Sequence, residues 1–111
     1  MSYKIIKSVT VQELQSLKSN PGASFRLIDV RNPDEFEYCN IGGDLIPMSE
    51  IPTRYDELEK DKMIIFHCHH GSRSKKVIQW LQDVYNFENL YNLEGGIHAW
   101  SCEVDTNVPI Y

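Results

Sequence analysis

The side chains best suited to covalent chemistry stand together in one short segment of the chain. In order, its residues are Cys68, His69, His70, Gly71, Ser72, Arg73 and Ser74. A cysteine thiolate is a strong nucleophile, and Gly71 permits the positive φ that lets loop N–H groups converge on an anion. The two serines supply further hydrogen bonds, and Arg73 adds a fixed positive charge. The segment therefore predicts an anion-binding loop around a nucleophilic cysteine.

Two elements must hold this loop in place. Residues 63–66 form a short, continuously apolar run, which is typical of a strand covered on both faces in a parallel sheet. After the loop, apolar residues recur with helical spacing at Val77, Ile78, Leu81, Val84 and Tyr85. We therefore expect Cys68 at the carboxyl end of a strand and the amino end of a helix. Free N–H groups and the helix dipole favour a thiolate at such a position.

Capping and turn residues predict the other elements. Thr10 with Glu13 forms a capping box, and Asn32 with Pro33 and Glu35 marks the start of a second helix. In chain order, the remaining predicted elements are an edge strand at 5–6, a helix over 11–19, a strand over 25–30, a helix from 33, a strand over 45–46, a helical stretch over 49–58, a strand over 90–93 and a helix from 97. Strands that alternate with helices over short connections predict an α/β fold, with a mostly parallel central sheet and helices on both faces.

Length and composition restrict the class of protein. A chain of 111 residues with 41% hydrophobic residues fits one domain over residues 1–111. The first ten residues carry no targeting pattern and no apolar run has membrane-spanning length, so we expect a cytoplasmic protein without a membrane partner. A net charge of -5 provides no basic surface for nucleic acid. Three cysteines, an odd number, argue against a disulfide framework and fit a reducing compartment.

Four other reactive or charged residues are interpreted as structural. Cys39 and Cys102 lack a glycine loop and a basic neighbour, so we expect both to be buried packing residues. Asp29 and Arg31 follow each other closely at the end of a predicted strand. We expect Asp29 to hydrogen-bond the loop backbone and Arg31 to pair with Glu35 one helical turn later.

The histidines around the loop are not interpreted as metal ligands. His67, Cys68, His69 and His70 are adjacent, and adjacent side chains do not easily all turn toward one ion. We expect His67 to face the core and His98 to lie at the surface or to pack near the last turn. The sequence therefore predicts no metal site and no cofactor.

Three segments, in this order, resemble the motifs of the rhodanese family. They are LIDVR at 27–31 followed by Glu35 and Phe36, CHHGSRS at 68–74, and EGGIHAW at 94–100, so the resemblance covers nearly the full chain. It implies a rhodanese-like fold with a five-stranded parallel sheet and a catalytic cysteine at Cys68 that carries sulfur as a persulfide. The residues that the resemblance assigns to substrate binding are His69, His70, Gly71, Ser72, Arg73 and Ser74.

The implied activity is that of a thiosulfate sulfurtransferase. Sulfur would pass from a small anionic donor, such as thiosulfate, to a thiophilic acceptor such as cyanide, a cellular thiol or a protein. The chain departs from the family pattern at CNIGG over 39–43 and LIP over 45–47, which resembles the rhodanese domains appended to molybdopterin- and thiamine-type activating enzymes. Lys75 and Lys76 replace small residues and make the rim of the loop more basic, which favours an anionic donor.

Two other functions stay open at this point. Cysteine phosphatases and arsenate reductases of the same fold also use a loop that runs from a cysteine to an arginine. Phosphatase loops have five residues between the two, whereas this chain has four, 69–72. A non-catalytic docking or regulatory module is the other possibility, although such domains have usually lost the cysteine that this chain retains at position 68.

Overall fold

Five strands form one sheet in the computed structural model, which describes residues 4–111. The strands are β1 (Lys7–Val9), β2 (Phe25–Asp29), β3 (Asp44–Leu45), β4 (Met63–His67) and β5 (Leu90–Leu93). Their spatial order is β1-β5-β4-β2-β3, and every neighbouring pair is parallel. The predicted α/β fold with a five-stranded parallel sheet is therefore confirmed. Residues 1–3 lie outside the described residues. Two predictions include them: the single domain over 1–111 and the absence of a targeting pattern in the first ten residues.

Helices cover both faces of the sheet, as predicted. They are α1 (Val11–Lys18), α2 (Pro33–Tyr38), α3 (Ile51–Arg54), α4 (Ser72–Tyr85) and α5 (Gly96–Glu103). One layer consists of α3 and α4, with the buried residues Ile51, Val77, Ile78 and Leu81. The opposite layer consists of α1 and α5, with the buried residues Val11, Leu14, Ile97 and Trp100.

Strand β4 lies inside the sheet and is covered on both faces. Its residues Ile64, Ile65 and Phe66 are fully buried, and the strand pairs with β2 on one side and β5 on the other. Alternate side chains point to opposite faces, so Ile64 and Phe66 pack against the α4 layer while Ile65 packs against the α1 and α5 layer. Strand β4 ends at His67, so Cys68 lies at the carboxyl edge of the sheet. Because β4 is an inner strand, Cys68 is near the middle of that edge.

Three predicted elements differ in detail from the structure. The edge strand is not at 5–6 but at Lys7–Val9, where the backbone pairs with β5, and Ile5 is largely exposed. The helical stretch over 49–58 is divided into two short 3-10 turns on either side of α3, which has Pro52 in its first turn. Val84 is half exposed because it lies at the edge of the buried stripe of α4, and Gln82 is buried instead.

The helices within residues 4–111 are short, and the longest of them, α4, has 14 residues. None of the helices there combines the length and the apolar composition that crossing a membrane requires.

Candidate active site

The sulfur of Cys68 lies at the start of α4 and accepts a backbone hydrogen bond. The Gly71 N–H donates to Cys68 Sγ at 3.1 Å, and Gly71 is the residue that precedes the first turn of the helix. Gly71 has a φ of 115°, a conformation that side-chain-bearing residues rarely adopt, so the turn of the loop depends on glycine. Cys68 itself is only 1% exposed. The loop therefore holds the Cys68 sulfur within hydrogen-bonding distance of a backbone N–H, at the positive end of α4.

A buried polar network lies on the other side of the sulfur. Ser74 Oγ is 3.4 Å from Cys68 Sγ and 3.1 Å from the Gly71 carbonyl oxygen, and it also forms a short hydrogen bond with Asn92 Oδ1. A hydroxyl has a single hydrogen, so Ser74 donates to one of these acceptors at a time. Asn92 is a buried polar residue in β5. The network holds Ser74 Oγ beside the sulfur, where its single hydrogen can turn from Gly71 or Asn92 to a negatively charged sulfur.

The amino end of α5 fastens the loop from the opposite direction. The N–H groups of Ile97 and His98 donate to the carbonyl oxygens of Cys68 and His69, both at 3.0 Å. This contact requires close approach at Gly96, where an added Cβ would lie 2.5 Å from His69 O and 2.6 Å from Cys68 O. Gly96 also has a φ of 62°. The EGGIHAW motif therefore positions the loop through its backbone.

Arg73 points to a carboxylate from another element. Its Nη1 and Nη2 atoms donate to the two carboxylate oxygens of Glu35, on α2, at 2.7 Å and 3.0 Å. The hydrogen bond from Arg73, together with those from Tyr111 and the Asn32 backbone, lowers the pKa of Glu35 to about 2. The expected side-chain pair between Arg31 and Glu35 is wrong, because the Glu35 carboxylate binds Arg73, and Arg31 reaches only the Glu35 carbonyl oxygen, at 3.4 Å.

Arg31 instead belongs to a buried charge cluster beneath the loop. Its Nη2 lies 2.6 Å from Asp29 Oδ2, and both side chains are fully buried. Asp29 also accepts a hydrogen bond from the Arg31 backbone N–H at 3.0 Å, as expected for a structural aspartate. His67 Nε2 is 3.5 Å from Asp29 Oδ2, and burial lowers the pKa of His67 to about 4, so this core-facing histidine is neutral at pH 7.

His69 and His70 present their rings beside the loop, next to His98 from α5. The ring centroids of His69 and His70 are 4.0 Å apart, and those of His70 and His98 are 4.7 Å apart. Tyr111 stacks on the other side of His69, with centroids 3.9 Å apart and the rings nearly parallel. Burial lowers the pKa of His69 below the ordinary histidine value. His98, expected at the surface or in packing near the last turn, is a partly buried neighbour of the loop.

The predicted site residues fall into two groups. The Gly71 N–H and the Ser74 hydroxyl lie at the Cys68 sulfur. The others face away from it: Ser72 and His70 are exposed at the rim, His69 stacks on Tyr111 and Arg73 binds Glu35. Lys75 and Lys76 are also exposed. Of the two cysteines expected to be buried, Cys39 is buried as predicted. Cys102 is exposed, because it lies on the outer side of α5, and this expectation is wrong.

Sequence reasoning missed three residues around the loop. Glu35 and Tyr111 contact it through Arg73 and His69, from positions far away in the chain. No local pattern indicates such contacts. Asn92 did give a signal, because it is an amide within the otherwise hydrophobic strand β5, and a buried polar residue needs a partner.

A thiol at the carboxyl edge of a parallel sheet, held by a loop N–H at a helix start, defines an α/β domain with a candidate cysteine active site. The sequence of this domain matches the model of the rhodanese-like domain over residues 10–103. The chain therefore belongs to the rhodanese-like domain family.

Known proteins that resemble the chain include sulfurtransferases. It is 35% identical over 115 residues to the rhodanese-like/PpiC domain-containing protein 12, chloroplastic, of Arabidopsis thaliana. It is 34% identical over 105 residues to the adenylyltransferase and sulfurtransferase MOCS3-1 of Drosophila pseudoobscura pseudoobscura. These matches cover 96% and 87% of this chain but only 38% and 23% of the two relatives.

A solved structure of similar size shares the whole fold. The rhodanese-like domain protein of Staphylococcus aureus superposes with a TM-score of 0.79 at 32% sequence identity. The superposition covers 96% of this chain and 99% of that one. The two proteins therefore share the same fold over nearly the full length of both chains.

Proposed function

We propose that the protein is a sulfurtransferase that carries sulfur as a persulfide on Cys68. The Cys68 thiolate attacks the outer sulfur of a small anionic donor such as thiosulfate. The S–S bond of the donor breaks, sulfite leaves with the electron pair, and the outer sulfur stays on Cys68 as a persulfide anion. An acceptor nucleophile, such as cyanide, a cellular thiol or a protein thiol, then attacks that sulfur and the Cys68 thiolate leaves. Atoms and electrons balance over the cycle without a cofactor.

The hydrogen bond from the Gly71 N–H to Cys68 Sγ carries this proposal. Its 3.1 Å length and its position at the amino end of α4 favour an anionic sulfur, whether thiolate or persulfide. The Ser74 hydroxyl lies 3.4 Å from the same atom. These donors are fixed before the reaction, so they need little reorganisation as negative charge moves between the two sulfurs.

The state of Arg73 argues against phosphate ester hydrolysis. A phosphatase loop uses its arginine to hold the equatorial oxygens of the phosphoryl group, but both Nη atoms of Arg73 bind Glu35. With only four residues between Cys68 and Arg73, the loop also has fewer N–H groups to surround a tetrahedral ester. The similarity to a protein named as a sulfurtransferase supports sulfur rather than phosphate as the transferred group.

The cysteines support a reducing location for this chemistry. Cys39, Cys68 and Cys102 are all free thiols. Transfer to the acceptor itself returns Cys68 to the thiolate, and a reducing compartment keeps this thiolate from forming a disulfide. We infer that the protein works in the cytoplasm.

Three single cysteine variants test the proposed function. Cys68→Ser is expected to abolish thiosulfate-to-cyanide transfer, because a serine hydroxyl cannot form a persulfide. Cys39→Ser and Cys102→Ser serve as matched controls, one buried and one exposed, and are expected to retain most of the activity. The measurement is thiocyanate formation at fixed protein concentration. Equal loss in all three variants, or full activity in Cys68→Ser, would exclude Cys68 as the sulfur carrier.

A further inference from the structure

Three histidines from two elements converge at the rim of the Cys68 loop. Each of His69, His70 and His98 offers one ring nitrogen, and these three atoms lie within 4.8 Å of one another. Histidines with this spacing are common ligands of divalent transition ions, because a neutral imidazole offers one unshared electron pair. The cluster is separate from the sulfur of Cys68, which points to Gly71 and Ser74.

The backbone holds these histidines together independently of their side chains. The His98 N–H donates to the His69 carbonyl oxygen at 3.0 Å, and the adjacent Ile97 N–H donates to Cys68. Gly96 allows this approach, because any Cβ at that position would collide with His69 O. The start of α5 is therefore fixed against the loop. Because His98 lies in this part of α5, the same backbone contact holds it next to His69 and His70.

Two ring nitrogens of the cluster lack a hydrogen-bond partner within residues 4–111. They are His69 Nε2 and His98 Nδ1, and both atoms are buried. The other nitrogen of His98, Nε2, lies 3.7 Å from Cys102 Sγ, so Nδ1 is the atom that remains available. Buried polar atoms are nearly always paired in folded proteins, so these two nitrogens, which have no partner in the described part of the chain, are available to a ligand.

We propose that His69, His70 and His98 form a binding site for one divalent transition ion, with Zn²⁺ as the representative case. Nitrogen ligands bind Zn²⁺ at about 2.0–2.1 Å, so in a tetrahedral site they are about 3.3 Å apart. The three nitrogens would have to close by at most about 1.5 Å, and the exposed His70 ring is free to turn. Three histidines leave a fourth position open to water or an anion.

Stacking of Tyr111 on His69 supports the same site. The two rings are 3.9 Å apart and differ by only 4° in orientation, which holds the His69 ring in one plane. Residues that orient a ligating histidine contribute to metal affinity. Cys102 Sγ lies beside Nε2 of His98 rather than beside the available Nδ1, so it is not placed to bind the ion, and the α5 backbone rather than Cys102 sets the position of His98.

Equilibrium dialysis against ZnCl₂, with the bound metal measured by mass spectrometry, tests the site. The Cys68→Ser protein is used as the background, so that neither thiol coordination at Cys68 nor sulfur transfer contributes to the readout. We expect one Zn²⁺ per chain. His70→Gln and His98→Gln should each weaken binding at least about tenfold. Cys102→Ser, the control at the neighbouring position, should bind like its parent.

Co²⁺ spectroscopy identifies the ligands independently. Bound Co²⁺ is expected to show the visible bands of a low-coordinate nitrogen site, without the near-ultraviolet band that a thiolate ligand produces. Circular dichroism tests whether each variant is folded. Because His70 is exposed, we expect His70→Gln to fold like its parent. Zn²⁺ binding that is unchanged in both histidine variants, or that is lost in Cys102→Ser, would overturn the proposal. Because the background lacks Cys68, this outcome is independent of whether the protein transfers sulfur.

Discussion

The surroundings of Cys68 and Arg73 show how single residues divide the work at the loop. Gly71 and Ser74 supply the hydrogen bonds near the sulfur, while Arg73 is turned away from it by the two oxygens of Glu35. The positive charge of Arg73 thus first serves to attach the loop to α2. A small anionic sulfur donor that binds at the rim would lie near the Arg73–Glu35 pair. Because Glu35 offsets the Arg73 charge, the donor would be attracted less strongly than by an unpaired arginine.

The pH dependence of stability tests the Glu35–Arg73 pair. The pKa of Glu35 is about 2 in the folded protein, below its ordinary value of 4.5, because Arg73 donates to the carboxylate. The ionised form is therefore favoured by folding, and this contribution is present above about pH 4.5 and is lost as the pH falls toward 2. Because Arg73 is about one-third exposed, water screens the pair, and we expect Glu35→Gln to cost about 1–2 kcal/mol at pH 7.

Urea unfolding of the parent and of Glu35→Gln, measured at several pH values, provides the check. The difference in unfolding free energy should be constant between pH 7 and pH 5 and should shrink below about pH 4.5. A difference that stays the same at pH 3.5 would show that Glu35 stabilises the fold by packing rather than by its charge.

At the scale of elements, the site depends on the contact between the start of α5 and the loop after β4. Two backbone hydrogen bonds of 3.0 Å join them, and the contact is possible only because Gly96 has no side chain. Strand β4 supplies a rigid base for the loop, since its three middle residues are fully buried. The geometry of the loop around Cys68 therefore depends on β4 and α5 and not on the loop residues alone.

Gly96→Ala is expected to damage both stability and sulfur transfer. An added methyl group would lie 2.5 Å from His69 O, at a φ of 62° that alanine tolerates poorly, so we expect a loss of about 2 kcal/mol or more. Gly22→Ala is the control, because an added Cβ there meets only Asn20 Oδ1 at 3.5 Å, and its effect should stay within about 0.5 kcal/mol. Thermal unfolding and transfer rates should change together in Gly96→Ala. Similar effects of the two substitutions would contradict the proposed role of the α5 contact.

The elements themselves were largely predictable because they depend on local features. The capping box of Thr10 and Glu13 defines the start of α1 in the structure, and β5 spans the predicted residues 90–93. The edge strand was misplaced because pairing with β5, rather than the apolar character of Ile5, decides where β1 forms.

The site was predictable only where its residues are consecutive in the chain. The 68–74 segment identifies Cys68 and Gly71, whereas the Arg73–Glu35 pair joins positions 38 residues apart. The nearness of His98 to His69 and His70 likewise depends on how α5 packs, which the sequence pattern does not specify.

At the scale of the whole molecule, an acidic protein must attract an anionic donor. The net charge is -5, so the general field repels thiosulfate. Lys75 and Lys76 are exposed in the first turns of α4, directly after the loop. Because the Arg73 charge is paired with Glu35, we expect these two lysines to be the local source of positive potential near the rim.

Reversing these charges should weaken donor capture without changing the chemical step. The double variant Lys75→Glu with Lys76→Glu is expected to raise the KM for thiosulfate by about two- to fivefold at low ionic strength, with kcat nearly unchanged. The effect should vanish as salt is added, because exposed charges are screened. Lys60→Glu with Lys62→Glu makes the same change in net charge at the opposite edge of the sheet, just before β4, and serves as the control, with thermal unfolding to show that loss of the Lys60 contact with the Tyr85 carbonyl leaves the fold intact. Equal KM values for the two double variants at low salt would place donor capture on the loop alone.

The central claim, that Cys68 carries the transferred sulfur, has one direct measurement. The intact protein is treated with thiosulfate, freed of excess donor and analysed by mass spectrometry, followed by peptide mapping under non-reducing conditions. We expect a mass increase of one sulfur atom per chain, located on the peptide that contains Cys68, and its disappearance after cyanide is added. An unchanged mass, or a sulfur atom located on Cys39 or Cys102, would contradict the proposed sulfur transfer.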